Sequence, residues 1–288
     1  AGARLAEAHF GVMERAANAS VRDAAARIEL VRRAGLERLG RPGYVEGLLL
    51  ALGTNAENPE EVPDLYLRHA GGLRVYQYPN QFAPYLVLLS EHHVGSYLEI
   101  GCRWGGTFVL TTEYLRRFGH LRRSVAVDIH RSPVKDYYTP FNSHAEFIQM
   151  DSHKRRFQDY IRRRHFDVVF VDGDHDYHGV RRDFMAVQNS TDILVFHDIS
   201  SVACPGVVSF WRELRSRAAG AFVFHEFVDQ YPEVLARGSG PFMGIGVAIR
   251  KVRCRAPGAC RSALSRNGEG HRWRSPTRVQ RREEEHDE

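Results

Sequence analysis

Aspartate and histidine residues follow two apolar runs of the sequence at the points where those runs end. One run leads into Asp172 and His175, and the next leads into His197 and Asp198. Carboxylates and imidazoles are costly to bury beside an apolar strand end unless they pair, bind a metal or take part in chemistry. An imidazole can accept the proton of a hydroxyl group, and a divalent cation can lower the pKa of that hydroxyl. These residues therefore predict a site for chemistry at a hydroxyl group.

Each of these four residues has a predicted role. His175 is the predicted general base, and Asp172 is predicted to act with it as a catalytic residue and to bind a metal ion together with Asp198 and His197. Oxygen ligands favour Mg²⁺ or Ca²⁺, and an added imidazole moves the preference toward Mn²⁺. We therefore expect Mg²⁺ or Mn²⁺. Two structural roles stay open: His175 would also fit as a helix cap, and His197 as a buried histidine with satisfied hydrogen bonds.

Other polar residues nearby receive structural interpretations. Asp174 and Asp176 are predicted to shape the turn by bonding their own backbone. Asp183 is predicted to lie on a charged, exposed helix face, where ion pairs contribute little. Five further histidines are predicted to face solvent: His92, His93, His144, His153 and His178.

Seven short apolar runs alternate with helical patterns from residue 78 onward. The predicted strands are 96–100, 124–128, 146–150, 167–172, 192–197, 221–227 and 244–250, and the predicted helices are 79–91, 107–118, 154–163, 180–188 and 207–217. This alternation predicts an α/β fold, a doubly wound, mostly parallel seven-stranded sheet of the Rossmann-like kind. Ligands of such sheets bind at the carboxyl ends of the strands, where the polar residues lie.

A glycine-rich turn follows the first predicted strand. Gly101 permits a tight turn, and Gly105 with Gly106 would let a ligand approach the start of the next helix. The spacing G-x-x-x-G-G differs from the G-x-G-x-x-G of dinucleotide sites, which cradle a pyrophosphate at the helix start. The turn therefore suits a ligand without phosphate.

Carboxylates end the second and third strands. Asp128 follows Gly105 by 23 positions and can accept both ribose hydroxyls of an adenosine. Asp151 is placed to meet an adenine amino group. Each carboxylate would also fit as a helix cap, but their occurrence at consecutive strand ends indicates an adenosine-containing cofactor.

The set Glu99, Gly101, Gly105 and Asp128 resembles the motifs of class I S-adenosylmethionine-dependent methyltransferases, over about residues 76–250. The resemblance implies that Glu99 and the 101–106 turn hold the methionine part of the cofactor and that Asp128 binds the ribose. It also implies a cofactor contact from Gln77 and an antiparallel last strand.

The segment from Asp172 to His175 and the later His-Asp pair resemble motifs of one branch of this methyltransferase superfamily. That branch includes macrolide sugar O-methyltransferases and cephalosporin hydroxylase-like proteins. In the sugar enzymes the matching aspartate binds metal and the matching histidine is the base. The resemblance thus implies metal-assisted O-methylation of a hydroxylated small molecule, such as a sugar or natural product, with a second metal position at Asp198. His197 departs from the pattern, because the macrolide enzymes carry a glutamate there.

Three regions are predicted along the chain. Residues 1–75, with a helix over 3–38, form a helical extension that acts as a lid or as the contact of a homo-oligomer. Residues 76–252 form the S-adenosylmethionine-binding methyltransferase domain. Residues 253–288 form a disordered charged tail, since nothing there could form a core.

The net charge of +5 comes largely from arginines of that tail. Two other functions are alternatives to methyl transfer. One is an NAD-dependent oxidoreductase on a Rossmann-like fold, and the other is a nucleic-acid-binding protein that uses the basic tail. The tail shows no basic stripe interleaved with aromatic residues, since Trp273 is its one aromatic residue of the Phe, Trp and Tyr types, so nucleic acid is not an expected partner. The four cysteines form no C-x-x-C pair, and no apolar stretch could span a bilayer. We therefore expect a cytoplasmic protein without a membrane partner.

Overall fold

The computed structural model describes residues 26–55 and 57–251. It contains seven strands: β1 Ser96–Ile100, β2 Arg123–Asp128, β3 Ala145–Gln149, β4 Phe166–Val171, β5 Thr191–Phe196, β6 Phe222–Phe227 and β7 Ile245–Arg250. They form one sheet in the order β3-β2-β1-β4-β5-β7-β6. Six strands are parallel, and β7 runs antiparallel to both of its neighbours. The predicted fold class, including the antiparallel last strand, is confirmed.

Helices connect and flank these strands. They are α1 (26–33), α2 Leu36–Leu39, α3 Pro42–Leu52, α4 Asp64–Leu67, α5 Pro79–Ser90, α6 Gly106–Arg117, α7 Val134–Tyr137, α8 Arg155–Arg162, α9 Tyr177–Val187, α10 Pro205–Ala218 and α11 Pro232–Ala236, with short 3₁₀ helices at Pro59–Glu61 and Thr139–Phe141. Every predicted strand and helix of the domain is present, with its ends moved by at most three residues. None of the helices in the described ranges is long and apolar enough to cross a bilayer.

Alternate residues of each strand pack into apolar layers on opposite faces of the sheet. Val125 and Val127 lie in the layer formed with α8, α9 and α10, whereas Ala126 lies in the layer formed with α5 and α6. This alternation follows from the two-residue period of a strand. Because both faces are covered, the polar residues that follow the strands are confined to the ends of the sheet.

The N-terminal segment differs in part from its prediction. Within the described part of the predicted helix 3–38, α1 ends before Ala34 and the extended Gly35, and α2 begins after them. Glycine is a poor helix former, which accounts for the break. Val45 and Leu49 of α3 pack in the same apolar layer as α5 and α6. The lid or oligomer role of residues 1–75 stays a prediction, and the tail 253–288 lies outside the described residues.

The register of the sheet brings the strand ends together. Ile100 pairs with Val127 of β2 and with Val171 of β4. Residues that follow these three strands therefore lie side by side at one edge, as the sequence predicts for parallel strands.

Candidate active site

The turn after β1 is shaped by Gly101. Its φ is +84°, and a Cβ at this position would lie 2.1 Å from the backbone oxygen of Asp172. The N–H of Gly101 donates to the oxygen of Val127 at 2.8 Å. Only glycine combines this left-handed conformation with so close a contact, so Gly101 fixes how the first turn packs on the end of β4.

The next two glycines meet protein where the sequence predicts room for a ligand. A Cβ at Gly105 would lie 2.6 Å from Cβ of Val134, and one at Gly106 would lie 2.1 Å from the backbone oxygen of Leu73. Protein atoms, rather than a ligand, therefore occupy the space beside these two glycines where a Cβ would lie. A cofactor contact of Gly105 stays a prediction.

A segment before α5 covers the glycine turn. Glu57 forms an ion pair with Arg103 and accepts a hydrogen bond from Nε1 of Trp104 at 2.6 Å. The guanidinium of Arg74 lies 4.4 Å from the centre of the Trp104 ring. Sequence reasoning missed this cover, because nothing in the spacing of these residues indicates that they meet.

Asp128 and Asp151 each accept backbone N–H groups of the loops at the strand ends, and Asp128 binds the turn after β1 as well as its own loop. The two oxygens of Asp128 accept the N–H groups of Arg103 and His130, each at 2.8 Å. One oxygen of Asp151 accepts the N–H of His153 at 2.8 Å. A carboxylate oxygen has two lone-pair positions, so both side chains keep acceptor capacity for a ligand. Asp128 and Asp151 can therefore hold these backbone N–H groups and bind a cofactor at the same time.

A cavity of about 540 Å³ lies at the ends of β1, β2, β3 and β4. Its wall includes five residues that the sequence predicts as site residues: Gly101, Asp128, Asp151, Asp172 and His175. The volume lies within the range of small-molecule sites. The structure thus brings the predicted adenosine-binding carboxylates and the predicted base to one cavity.

Two predicted cofactor residues are buried rather than part of that wall. Glu99 accepts a hydrogen bond from the hydroxyl of Tyr97 at 2.5 Å, and burial raises the pKa of Glu99 to about 8, with the charge of Asp172 adding to the shift. Gln77 is also buried, and its Oε1 has no hydrogen-bond partner among the described residues. Their contacts with a cofactor stay predictions.

The polar residues after β4 and β5 bind one another. Oδ1 of Asp172 lies 3.1 Å from Nδ1 of His197, which lies 3.4 Å from Oδ2 of Asp198. That same oxygen of Asp198 lies 2.9 Å from Nδ1 of His175 and accepts a hydrogen bond from the thiol of Cys204 at 3.2 Å. All four predicted residues meet, and Cys204, at the start of α10, joins them without having been predicted.

Two overlapping sets of donor atoms in this cluster are close enough to share a cation. Asp172, His197 and Asp198, the predicted metal ligands, form one set, and His175, Asp198 and Cys204 form the other. Within each set the donor atoms lie within 4.8 Å of one another. Two carboxylates with one imidazole fit Mn²⁺ better than Mg²⁺, because imidazole suits transition metals.

The charges of the cluster shift its pKa values strongly. The hydrogen bond that His175 donates to Asp198, followed by the one to Cys204, raises the pKa of His175 to about 11. Burial lowers the pKa of His197, but the charges of Asp172 and Asp198 outweigh burial and raise it to about 10. Burial of Asp198 is outweighed by the charge of His197, so its pKa lies below the ordinary range. The two imidazoles therefore hold protons that a metal ion would have to displace.

The turn after β4 is built as predicted. Asp176 caps α9 by accepting the N–H of Gly179 at 2.8 Å, and Asp174 accepts the N–H of Asp176 at 3.0 Å. Since Asp176 fills the cap position, the alternative that His175 caps this helix is wrong. His175 is left with its imidazole 44 % exposed at the cavity.

Two predictions about neighbouring residues are wrong. Asp183, predicted on a charged and exposed helix face, is fully buried. His153, predicted to face solvent, has only 18 % of its side chain exposed and lies between Asp174 and Asp183. In the sequence Asp183 follows two arginines. The local charge pattern therefore predicts an exposed helix face and gives no sign that this carboxylate is buried.

The strand order and the antiparallel last strand define a Rossmann-like α/β fold, and acidic residues follow its second and third strands. Residues 98–199 match the protein family described as a methyltransferase domain. The match spans β1 through β5 and confirms the family resemblance of the sequence. It favours a methyltransferase over the NAD-dependent oxidoreductase.

Solved structures with a similar fold include methyltransferases. The O-methyltransferase TomG from Streptomyces achromogenes, in complex with SAM, is 15% identical over 71% of this chain and 90% of that chain, with a TM-score of 0.45. An O-methyltransferase from Bacillus cereus, in complex with SAH, is 13% identical over 76% and 93%, with a TM-score of 0.44. The MycE methyltransferase of mycinamycin biosynthesis, with Mg and SAH, is 18% identical over 64% and 53%, with a TM-score of 0.42. Likeness at this level carries no conclusion about substrate or mechanism, and a comparison with curated proteins finds no match.

Proposed function

We propose that this protein transfers the methyl group of S-adenosylmethionine to a hydroxyl oxygen of a small molecule, such as a sugar or natural product. The observation that carries the proposal is one cavity with Asp128 and Asp151 in its wall at the ends of β2 and β3, and with Asp172 and His175 in its wall after β4. An adenosine-binding end and a proton-accepting end are what this reaction requires.

The cofactor-binding end fits an adenosine without phosphate. Asp128, which keeps lone pairs, is the proposed partner of the two ribose hydroxyls, and Asp151 is the proposed partner of the adenine amino group. When bound, the cofactor supplies an electrophilic methyl group on a sulfonium. Glu99, which lies just before the glycine turn in sequence, and Gln77, both buried, are the proposed partners of its methionine part.

His175 is the proposed general base. Its Nδ1 lies 2.9 Å from Oδ2 of Asp198, which fixes the ring. Its Nε2, which lies 3.7 Å from Oδ1 of Asp172, is the atom proposed to face the acceptor hydroxyl. This carboxylate–imidazole arrangement sets the tautomer in the same way as in hydrolytic triads. The acceptor proton would move to Nε2 as the oxygen attacks the methyl group.

A divalent cation at Asp172, His197 and Asp198 fits the same scheme. The donor atoms are close, and the buried His197 can bind an ion once it loses its proton. Such an ion would orient the acceptor oxygen and lower its pKa. It would also offset the carboxylate charge that keeps a proton on His175. Mn²⁺ is the ion that the donor set favours.

The proposal is tested by SAH formation with a panel of hydroxylated small molecules in the presence of Mn²⁺. We expect turnover by the wild type and a loss of about 100-fold or more in His175→Gln, since general bases contribute about 10²–10⁴-fold. His178→Gln, an exposed histidine on α9, is the matched control and should keep full activity. Equal turnover in His175→Gln would show that another group accepts the proton.

The cation is tested separately by electron paramagnetic resonance of Mn²⁺ added to the purified protein. Binding should disappear in Asp172→Asn and in Asp198→Asn. Asp159→Asn, which changes an exposed carboxylate on α8, should bind as the wild type does. Mn²⁺ binding that survives both active-site substitutions would place the ion elsewhere.

A further inference from the structure

A thiol lies among the charged residues after β4 and β5, and the proposed methyl transfer gives it no role. Sγ of Cys204 lies 3.0 Å from Nδ1 of His175 and 3.2 Å from Oδ2 of Asp198, and these last two atoms are 2.9 Å apart. Cys204 is buried and forms no disulfide within the described residues. We call His175, Asp198 and Cys204 the thiol set, because each offers one atom that can bind a metal ion.

The backbone after β5 holds two members of the thiol set in place. The N–H of Ser201 donates to the oxygen of Asp198, and the N–H of Cys204 donates to the oxygen of Ser201, each at 3.2 Å. The N–H of Val208 donates to the oxygen of Cys204, also at 3.2 Å, which ties the thiol to the start of α10. The carboxylate and the thiol are therefore brought together by the main chain before any ion binds.

The spacing of the thiol set suits a small tetrahedral ion. Zn²⁺ binds sulfur at about 2.3 Å and nitrogen or oxygen at about 2.0 Å, so its ligand atoms lie roughly 3.3–3.6 Å apart. The three atoms need to separate by only about half an ångström to reach that geometry. The imidazole of His175 is 44 % exposed at the cavity, which gives an ion a path to the buried thiol.

Sulfur distinguishes the thiol set from the proposed Mn²⁺ ligands. Thiolate is a soft ligand that selects Zn²⁺, whereas carboxylate oxygens suit Mn²⁺ and Mg²⁺. Asp172 and His197, the other two proposed Mn²⁺ ligands, offer no sulfur. One thiol, one imidazole and one carboxylate leave the fourth position of a tetrahedral ion for solvent.

We propose that the thiol set is a zinc site, in which Zn²⁺ binds Sγ of Cys204, Nδ1 of His175 and Oδ2 of Asp198. One coordinate bond forms at each atom, and the thiol proton and the Nδ1 proton leave to solvent. The imidazole keeps its proton on Nε2, so it cannot accept the proton of a hydroxyl group. Zn²⁺ is therefore an inhibitor of the methyl transfer; this consequence, unlike the site itself, rests on the proposed function.

The test is titration of Co²⁺ into the full chain, followed by absorption in the near ultraviolet, where Co²⁺ bound to a thiolate absorbs strongly. Cys254 and Cys260, which lie outside the described residues, are replaced by serine in every protein used. The band should appear, and Zn²⁺ should abolish it by displacing Co²⁺. Cys204→Ser should lose the band, and Cys102→Ser, a change of a buried cysteine outside the thiol set, should keep it.

Calorimetric titration of Zn²⁺ gives a second readout that leaves the thiol in place. His175→Gln should bind Zn²⁺ about 100-fold more weakly or worse, since loss of even an outer partner of a metal ligand costs about 10–100-fold. His178→Gln, an exposed histidine on α9, is the matched control and should bind as the parent does. This measurement decides the matter even where Cys204→Ser fails to fold. A thiolate band that survives Cys204→Ser, or equal Zn²⁺ affinity in His175→Gln, would overturn the site.

The outcomes separate the zinc site from the proposed function. A Co²⁺ band that depends on Cys204, in a protein that forms no SAH with any hydroxylated acceptor, would support the zinc site and count against the methyl transfer. Turnover with Mn²⁺ but no thiolate band would show that only the zinc site is wrong. Turnover that continues once Zn²⁺ has displaced all the Co²⁺ would overturn the inhibition.

Discussion

The two ends of the cavity are built in different ways. At the cofactor-binding end, Gly101 shapes a backbone turn, and Asp128 and Asp151 accept backbone N–H groups of the loops after β1, β2 and β3. At the reactive end, after β4 and β5, side chains bind other side chains, and His175 and Asp198 are examples. One end is held by the main chain, and the other by charges.

This difference teaches where each end is vulnerable. A backbone turn tolerates no side chain where its contacts are closest, so a single methyl group should disrupt it. A charge cluster depends on the protonation of its members, so it should respond to pH and to cations. The predictions below test that contrast.

The largest effect is expected for Gly101→Ala. The added Cβ would lie 2.1 Å from a backbone oxygen at a φ of +84°, so we expect the free energy of unfolding to fall by more than about 4 kcal/mol. Gly119→Ala is the matched control, because Gly119 has a φ of +80° with no atom within 4 Å of its Cβ position. Its cost should be about 1–2 kcal/mol. Urea unfolding of both variants measures the difference, and equal losses would contradict the role of the close contact.

A smaller effect is expected for Glu99→Gln, and it should depend on pH. The folded pKa of Glu99 is raised from 4.5 to about 8, so its contribution to stability is complete below pH 4.5 and is lost as the pH rises through 8. The neutral glutamine lacks this loss. Between pH 5 and pH 9 the variant should therefore gain about 2–4 kcal/mol relative to the wild type.

Denaturant unfolding of both proteins across this pH range measures the Glu99 effect. Glu146→Gln, a substitution of a partly exposed glutamate on β3, is the control and should follow the wild-type profile. Parallel curves for the wild type and Glu99→Gln would show that Glu99 is ionised in the folded protein throughout this range.

The smallest effect is expected for Glu57→Gln. The substitution weakens the ion pair with Arg103, whose side chain is 58 % exposed, so the free energy of unfolding should change by no more than about 1 kcal/mol. S-Adenosylhomocysteine affinity, measured by calorimetry, should change by less than about threefold. A larger loss of affinity would mean that the cover over the glycine turn, and not the turn alone, sets the cofactor site.

The fold could be predicted almost entirely from the sequence. Apolar runs such as 168–171 are long enough for buried parallel strands and are bounded by local turn signals, and these features do not depend on the rest of the chain. The break at Gly35 was missed because the surrounding residues favour a helix. The meeting of the polar residues after β4 and β5 could be predicted, because the carboxyl ends of parallel strands lie at the same end of the sheet.

The parts of the site that escaped prediction are contacts made by later packing. Cys204 meets Asp198 because α10 begins at the same edge of the sheet. A sequence signal existed in Pro205, which marks that helix start. The meeting of His153 with Asp183 depends on how α9 sits against the loop after β3, and no local pattern records it.

The most direct test of the account is calorimetric titration of S-adenosylhomocysteine into the wild type, Asp128→Asn and His175→Gln. The account predicts binding to the wild type, a loss of about tenfold or more in Asp128→Asn, since hydrogen bonds to a charged group are worth about 1.5–3 kcal/mol, and affinity within about twofold in His175→Gln. Absence of binding to the folded wild type, or an equal loss in both variants, would contradict a cavity with separate cofactor-binding and reactive ends.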